Sequence, residues 1–231
     1  MPSIELRDVS LGLGSGRTRT LALAHIDLSL QSGIFTVVSG PSGSGKTSLL
    51  SVLGAMLSPD SGTVSIAGLD IAAINAHDRS AFRREKIGYV FQSFRLMPAL
   101  NAEENVRLSL ELRRKDSHPR RAIEALELVG LGAKVHLRPN QMSGGEQQRV
   151  AIARAIAHSP MVLLADEPTA SLDTANGLQV TKLLAGLAED VNRVVIVVTH
   201  DPRILPFARR LISIQDGRIS ADKICIPSPV T

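Results

Sequence analysis

Apolar residues in this chain fall into two patterns, and each predicts a different secondary structure. Short apolar runs at residues 34–38, 87–91, 161–165 and 194–198 predict β-strands. The last two runs are continuous, as expected for strands that are buried on both faces of a parallel sheet. After the first run, leucines recur at helical spacing as far as Leu57, which predicts a strand, a loop and a helix in succession.

The remaining segments complete a mixed α/β pattern. The first thirty residues alternate weakly and contain several glycines, which predicts strands and a loop. Residues 58–62 predict a turn, and residues 63–68 predict a short strand. Between about 101 and 158 the spacing becomes helical, with helices predicted at 103–114 and 120–129. This change of pattern indicates a helical lobe inserted into the strand-containing part.

Length and composition limit the architecture. A chain of 231 residues with 44% hydrophobic content suits one domain, for which we expect a core of about 1–91 and 159–224, a helical subdomain of about 92–158 and a loose tail at 225–231. Apolar runs stay well below the roughly 18 residues of a membrane span, and the N-terminus does not read as a secretory signal. The single cysteine, Cys225, excludes an intramolecular disulfide and a cysteine-based metal site. A cytoplasmic location is the simplest expectation.

The positive charge of the chain could favour nucleic acid or anionic membranes. The formal net charge is +4, with a pI near 9.6. However, the basic residues are scattered in short pairs, and only one tyrosine and five phenylalanines are available to stack on bases. We therefore favour solvated helix faces and expect no nucleic-acid binding.

A glycine-rich loop follows the first apolar run and supplies the strongest chemical signal. Its pattern G-x-x-x-x-G-K-[ST] lets backbone N–H groups surround phosphate oxygens at a helix N-terminus. Lys46 would reach the β- and γ-phosphates, and the Thr47 hydroxyl would hold Mg²⁺, with Ser48 directly behind it. A chance turn would fit this pattern in about one chain in a hundred, so we expect a nucleoside triphosphate to bind. The motif comprises Gly40, Pro41, Ser42, Gly43, Ser44, Gly45, Lys46 and Thr47.

Asp166 and Glu167 follow the apolar run at 161–165. An aspartate at a strand end can hold Mg²⁺ opposite a phosphate loop, and a second carboxylate can polarise the attacking water. Alone, this pair would be an ordinary loop start. Because a phosphate loop lies upstream, the metal-and-base interpretation is favoured.

Three further elements are weak signals by themselves. Ser143, Gly144 and Gly145 precede a helix and form either a second anion site or a simple N-cap. Gln92 and His200 each follow a predicted strand, where an amide could reach a metal or water and an imidazole could contact the γ-phosphate. Residues 171–173 read as a turn and a helix start.

The order of these elements resembles the nucleotide-binding subunit of ABC transporters over nearly the whole chain. Residues 40–47 look like Walker A, 161–167 like Walker B with its catalytic glutamate, and Gln92 like the Q-loop. Residues 142–146 resemble the signature motif, 171–173 the D-loop, and His200 the switch histidine. Within the family, residues 138–149 and 87–94 are most similar to the subfamily that serves lipoprotein-release, macrolide-efflux and heterocyst-glycolipid exporters.

This resemblance implies a fold, two cofactors and two kinds of partner. The fold would be an α/β P-loop NTPase with a RecA-like core, an antiparallel β subdomain and an inserted α-helical subdomain. ATP and Mg²⁺ would bind, with Mg²⁺ held by Thr47, Gln92 and Asp166, and with Glu167, His200 and Gln92 acting in hydrolysis. In a head-to-tail homodimer, Ser143, Gly144, Gly145 and Asp173 would meet the nucleotide of the facing protomer. A transmembrane permease would place the subunit peripherally on the cytoplasmic face of the inner membrane.

The chain departs from the family pattern at three places. The usual Leu-Ser-Gly-Gly-Gln signature has Met142 and Glu146 at its ends, but its Ser-Gly-Gly is intact, so we expect little effect there. Walker A has Thr47 followed by Ser48, and either hydroxyl residue suits the Mg²⁺ role at 47. Near Leu13 the family has an aromatic residue that stacks on adenine, and residues 1–34 contain no aromatic residue. Losing this stack would cost about 1–3 kcal/mol of base affinity, which predicts weak adenine selectivity.

Two other functions remain as alternatives. A soluble ABC-type ATPase acting on nucleic acid or ribosomes usually carries long coiled coils or two cassettes, neither of which the sequence predicts. A small-molecule kinase would explain the phosphate loop, but neither residues 143–145 nor His200. The transported substrate would be chosen by the membrane subunit.

Overall fold

Two β-sheets and six α-helices form the described part of the chain, which is residues 3–113 and 119–226 of a computed structural model. The strands are β1 (Ser3–Leu13), β2 (Thr20–Gln31), β3 (Phe35–Ser39), β4 (Ser61–Ile66), β5 (Leu69–Asp70), β6 (Ile87–Val90), β7 (Val162–Asp166), β8 (Val194–Thr199), β9 (Arg210–Gln215) and β10 (Arg218–Ile224). The helices are α1 (Lys46–Leu53), α2 (Ala76–Lys86), α3 (Ala102–Glu111), α4 (Pro119–Leu128), α5 (Gly144–Ile156) and α6 (Thr174–Leu187).

The larger sheet is mostly parallel and places the candidate chemistry at one edge. Its strand order is β10-β9-β3-β8-β7-β6, in which only β10 runs antiparallel to its neighbour. The loops that follow β3, β6, β7 and β8 therefore leave the same edge of the sheet. Ligand sites of open α/β sheets lie at this carboxyl edge.

The smaller sheet is antiparallel, in the order β2-β1-β4-β5. It packs its apolar side chains with α1 and with one face of the larger sheet. The combination of a parallel α/β core with an antiparallel sheet confirms the expected fold class.

Strand β8 explains why the apolar runs in the sequence are continuous. Val194, Ile196 and Val198 belong to the apolar cluster shared with α1 and the antiparallel sheet. Val195 and Val197 point to the opposite face and join the cluster formed by α3, α4, α5 and α6. Because both faces of the sheet are covered, polar alternation is absent from this strand.

Several boundaries differ from those predicted. Helix α1 ends at Leu53, where Gly54 and the left-handed Ala55 (φ 52°) turn the chain, so Leu57 lies outside it and is exposed. Strand β4 begins at Ser61, inside the predicted turn, because Ser61 pairs with Ser10 of β1.

In the helical region, α3 ends at Glu111, and Leu112 is exposed rather than part of its apolar face. The helix instead buries Asn105, whose amide bonds to Met97 and to two carbonyls of the preceding turn. The predicted end of this helix, residue 114, lies outside the described residues.

Of the tail predicted to be loose, only residues 225 and 226 are described. Cys225 N–H donates a hydrogen bond to the Arg209 carbonyl at 2.8 Å. Residues 227–231 lie outside the described part. Across the described ranges, none of the helices has the length and apolar character needed to cross a membrane.

Candidate functional site

The glycine-rich loop connects β3 to α1 and has a shape that its glycines require. Gly43 (φ 77°) and Gly45 (φ 104°) adopt left-handed backbone conformations. A side chain at Gly45 would also overlap with the Ala22 carbonyl oxygen of β2. Inside the loop, the Lys46 ammonium donates hydrogen bonds to the carbonyls of Gly40 at 2.9 Å and Pro41 at 2.8 Å.

Ser44 of the loop carries an unpaired hydroxyl within the described residues. Its hydroxyl is buried and has no hydrogen-bond partner within the described part of the chain. Buried polar atoms are nearly always paired in folded proteins. Ser44 is not among the residues that line the cavity of this loop, so its hydroxyl is not assigned to a ligand.

The loop forms one wall of a cavity that brings together most of the predicted residues. The cavity has a volume of about 430 Å³, within the usual range for small-molecule sites of about 300–1,000 Å³. Gln92, Glu167 and His200 reach it from the loops after β6, β7 and β8. Its lining residues are Ser42, Gly43, Gly45, Lys46, Thr47, Ser48, Gln92, Glu167 and His200.

Asp166 lies at the end of β7, directly behind the phosphate loop. The Thr47 hydroxyl donates to Asp166 Oδ1 at 3.4 Å. Burial raises the pKa of Asp166, and the hydrogen bond from Thr47 opposes this shift. Two oxygen ligands side by side, one of them a carboxylate that burial destabilises, are suited to a divalent cation such as Mg²⁺.

Glu167 is held in an unusual backbone conformation with its carboxylate fixed. Its φ is 47°, a left-handed value that is uncommon outside glycine. The carboxylate accepts hydrogen bonds from the Thr199 hydroxyl at 2.9 Å and from the His200 N–H at 3.2 Å. His200 Nδ1 lies 2.6 Å from Glu167 Oε1, while 69% of the His200 side chain is exposed.

Behind Glu167, three hydrogen bonds join the ends of β7 and β8, and the backbone from Glu167 to Thr169 closes them into a ring. The Thr169 hydroxyl donates to Asp201 Oδ2 at 2.6 Å. The Asp201 N–H donates to the Thr199 hydroxyl at 2.9 Å, and the Thr199 hydroxyl in turn donates to the Glu167 carboxylate. Sequence reasoning missed this ring. Its only signal is that Thr199 and Asp201 flank a candidate His200 at a strand end.

The loop that contains Gln92 is held by helix α5. Arg154 of α5 donates to the carbonyls of Phe94, at 2.8 Å, and of Arg95. The Arg95 guanidinium in turn lies 3.9 Å from the centroid of the Phe91 ring. The sequence did not single out Arg154, because only the apolar positions of this helix form a recognisable pattern.

Ser143, Gly144, Gly145 and Asp173 are not among the residues that line the cavity. They form a second cluster, in which Ser143 is the N-cap of α5 and Asp173 is the N-cap of α6. A side chain at Gly145 would overlap with Asn176 Oδ1, so the starts of the two helices are in close contact. The structure therefore places two helix N-termini outside the cavity of their own chain.

A parallel sheet with a glycine-rich phosphate loop between its strand β3 and helix α1 defines a P-loop nucleoside triphosphatase. The family described as ABC transporter matches residues 23–170. Since this is more than half of the chain, the chain belongs to the ABC transporter family.

Similar proteins cover nearly the whole chain. The lipoprotein-releasing system ATP-binding protein LolD of Anaeromyxobacter dehalogenans is 42% identical over 224 residues, which are 96% of this chain and 94% of that protein. The macrolide export ATP-binding/permease protein MacB of Rhodopseudomonas palustris is 40% identical over 97% of this chain, but this chain spans only 35% of its length. The dimeric post-hydrolysis structure of the ATP-binding cassette MJ0796, bound to ADP and Pi, has a TM-score of 0.86 and 37% identity, and the match covers 96% of this chain and 98% of that one.

Proposed function

We propose that this chain is the ATP-binding and ATP-hydrolysing subunit of a membrane ABC transporter of the exporter or lipoprotein-release type. The observation that carries the proposal is the cavity in which the phosphate loop, Gln92, Glu167 and His200 meet. LolD and MacB are named for lipoprotein release and macrolide export, which favours transport over a soluble ATPase that acts on nucleic acid.

Within this cavity, ATP would place its phosphates in the loop of residues 40–47. Backbone N–H groups and the N-terminus of α1 would contact the phosphate oxygens, and Lys46 would balance their charge. Thr47 and Asp166, with Gln92 opposite, would hold Mg²⁺. The cation would neutralise charge on the phosphate oxygens.

Glu167 would orient or deprotonate the attacking water. Its carboxylate is already fixed by Thr199 and by the His200 N–H. The His200 imidazole now contacts Glu167 Oε1 and is mostly exposed. A turn of this ring toward the γ-phosphate would free Oε1 for water, so the two residues would act together only when ATP is present.

We also propose a head-to-tail homodimer. Ser143, Gly144, Gly145 and Asp173 lie outside the cavity of their own chain, although helix N-termini are suited to anions. In a head-to-tail dimer, this cluster would contact the nucleotide bound by the facing protomer and complete its site. The dimeric state recorded for the relative MJ0796 with ADP and Pi supports this arrangement.

A transmembrane permease would be the other partner. The relative MacB is named an ATP-binding/permease protein, which supports a permease as the partner of this ATP-binding region. We propose that the helical subdomain, about 92–158, is one part of a single ABC ATPase domain, and that its Gln92 loop reports nucleotide occupancy to the permease. The subunit would then lie peripherally on the cytoplasmic face of the membrane.

Two variants test the ATPase. Glu167→Gln should still bind ATP, hydrolyse it slowly and accumulate a dimer with ATP and Mg²⁺, measured by phosphate release and light scattering. Glu189→Gln, at an exposed site just beyond the C-terminal end of α6, is the matched control. A Glu167→Gln protein that stays monomeric at saturating ATP would contradict the dimer.

Lys46→Ala should lose nucleotide affinity, and unchanged binding would refute the phosphate role.

Affinity capture tests the partner. Tagged Glu167→Gln protein would be recovered from detergent-solubilised cells with ATP, and its partners identified by mass spectrometry. A membrane protein with a few spans supports the transporter. Recovery of only ribosomal or DNA-bound proteins would instead indicate a soluble ABC-type ATPase.

A further inference from the structure

Glu146 places a negative charge at the N-terminus of α5, where the proposed function requires binding of negatively charged phosphates. It is the third residue of α5, and its Oε2 accepts a hydrogen bond from the Ser143 N–H at 2.8 Å. In return, the Ser143 hydroxyl accepts from the Glu146 N–H at 3.3 Å. This capping box stabilises the helix start, but it also sets a carboxylate beside the N-terminus that would meet the facing protomer's triphosphate.

Lys134 is placed to balance this charge. It ends the short turn Gly132–Lys134, and its ammonium contacts Glu146 Oε1, the oxygen that Ser143 does not use. The carboxylate is thus held from both sides, by a cation and by a backbone N–H. The hydrogen bond from Lys134, followed by that from Ser143, lowers the pKa of Glu146 to about 2. The Glu146 carboxylate is therefore ionised at neutral pH.

We propose that Lys134 is a positioning residue that neutralises Glu146, so that the N-terminus of α5 can receive the triphosphate of a facing protomer. This inference rests on the proposed function. Without the lysine, the Glu146 carboxylate would repel the incoming phosphates through a partly hydrated interface, where charges a few ångströms apart still interact strongly.

If the pair had a merely structural role, loss of Lys134 would lower the melting temperature, and the proposal predicts otherwise. Exposed ion pairs contribute little to folding stability, and nearly half of the Lys134 side chain is exposed. Loss of Lys134 should therefore leave the melting temperature almost unchanged. It should also leave binding of ATP to a single protomer unchanged, because neither Lys134 nor Glu146 lines the cavity.

The experiment uses the full chain in four forms: wild type, Lys134→Ala, Glu146→Gln and the double variant. Glutamine at 146 keeps the capping box without the charge. Lys182→Ala, on the exposed face of α6, is the control for loss of one positive charge. ATPase rate is measured against ATP concentration, and ATP-driven dimerisation is measured for each form in the Glu167→Gln background.

Lys134→Ala should weaken ATP-driven dimerisation by about 3- to 10-fold at low salt, with a smaller effect at high salt. The double variant should return to the level of Glu146→Gln. The inference is overturned if Lys134→Ala matches the wild type, if Glu146→Gln fails to rescue it, or if a lower melting temperature accounts for the loss. If the wild type itself hydrolyses no ATP, the proposed function fails, and this inference fails with it. A wild type that is active and a silent Lys134→Ala refute this inference alone.

Discussion

Replacing Asp201 with asparagine tests how strongly the ring behind Glu167 is held. Asp201 is buried and accepts a hydrogen bond from Thr169 at 2.6 Å. The Arg203 guanidinium binds the same carboxylate through Nε and through Nη2, the latter at 2.7 Å. Asp201→Asn preserves the size of the side chain but removes the charge that pairs with Arg203.

The expected cost follows from the pKa of Asp201. The hydrogen bond from Arg203, supported by that from Thr169, lowers this pKa from 3.8 to about 2, although burial opposes the shift. At 1.36 kcal/mol per pH unit, the lowering corresponds to about 2–3 kcal/mol. Removing one member of a fully buried pair costs about 3–5 kcal/mol. Since 34% of the Arg203 side chain is exposed and can be hydrated, we expect the lower figure, about 2 kcal/mol.

The lowered pKa of Asp201 also predicts how its contribution to the free energy of unfolding changes with pH. Because the pKa is lower in the folded than in the unfolded state, this contribution is complete above about pH 4 and is lost as the pH falls toward 2. Urea unfolding of wild type and Asp201→Asn should differ at pH 7, and the difference should shrink by pH 3. Asp216→Asn, at an exposed turn, is the control. Equal urea midpoints at pH 7, or a difference that stays constant down to pH 3, would refute the reasoning.

Three other residues give separate predictions. Burial and the charge of Arg113 lower the pKa of His158 to about 3, so below pH 6.5 protonation favours the unfolded state. His158→Gln should remove part of the stability loss between pH 6.5 and 5 in urea titrations, unlike the exposed His77→Gln. Gly145→Ala should lower the unfolding free energy by about 1–3 kcal/mol. A second change, Asn176→Ala, should restore only part of it in thermal melts, because the Cβ of residue 176 would still lie 2.8 Å from the new methyl group. If Leu13 leaves adenine without a stacking partner, ATP and GTP turnover should be comparable, whereas a strong preference for ATP would contradict this.

The sequence predicted the sheet well because buried parallel strands have a clear pattern. The run at 194–198 differs from β8 by one residue, and the run at 161–165 differs from β7 by one residue at each end. The candidate residues Glu167 and His200 directly follow these strands. Since parallel strands end at one edge, their convergence on the phosphate loop could be anticipated from order alone.

Other features depend on contacts that the sequence does not reveal. Helix α2 buries none of its residues, so it lacks the apolar periodicity that would predict a helix. Thr169 and Asp201 are 32 positions apart, and only the pairing of β7 with β8 brings them together. The contact of Gly145 with Asn176 likewise depends on how two helices pack.

The Lys46 ammonium has a consequence for the speed of ATP capture. Two of its three donors are already used by the Gly40 and Pro41 carbonyls. These bonds fix the curvature of the loop in advance, and the third donor stays available for a phosphate oxygen. Little conformational entropy would then be lost on binding. Association would be governed by diffusion of the nucleotide into the cavity rather than by a slow rearrangement of the loop.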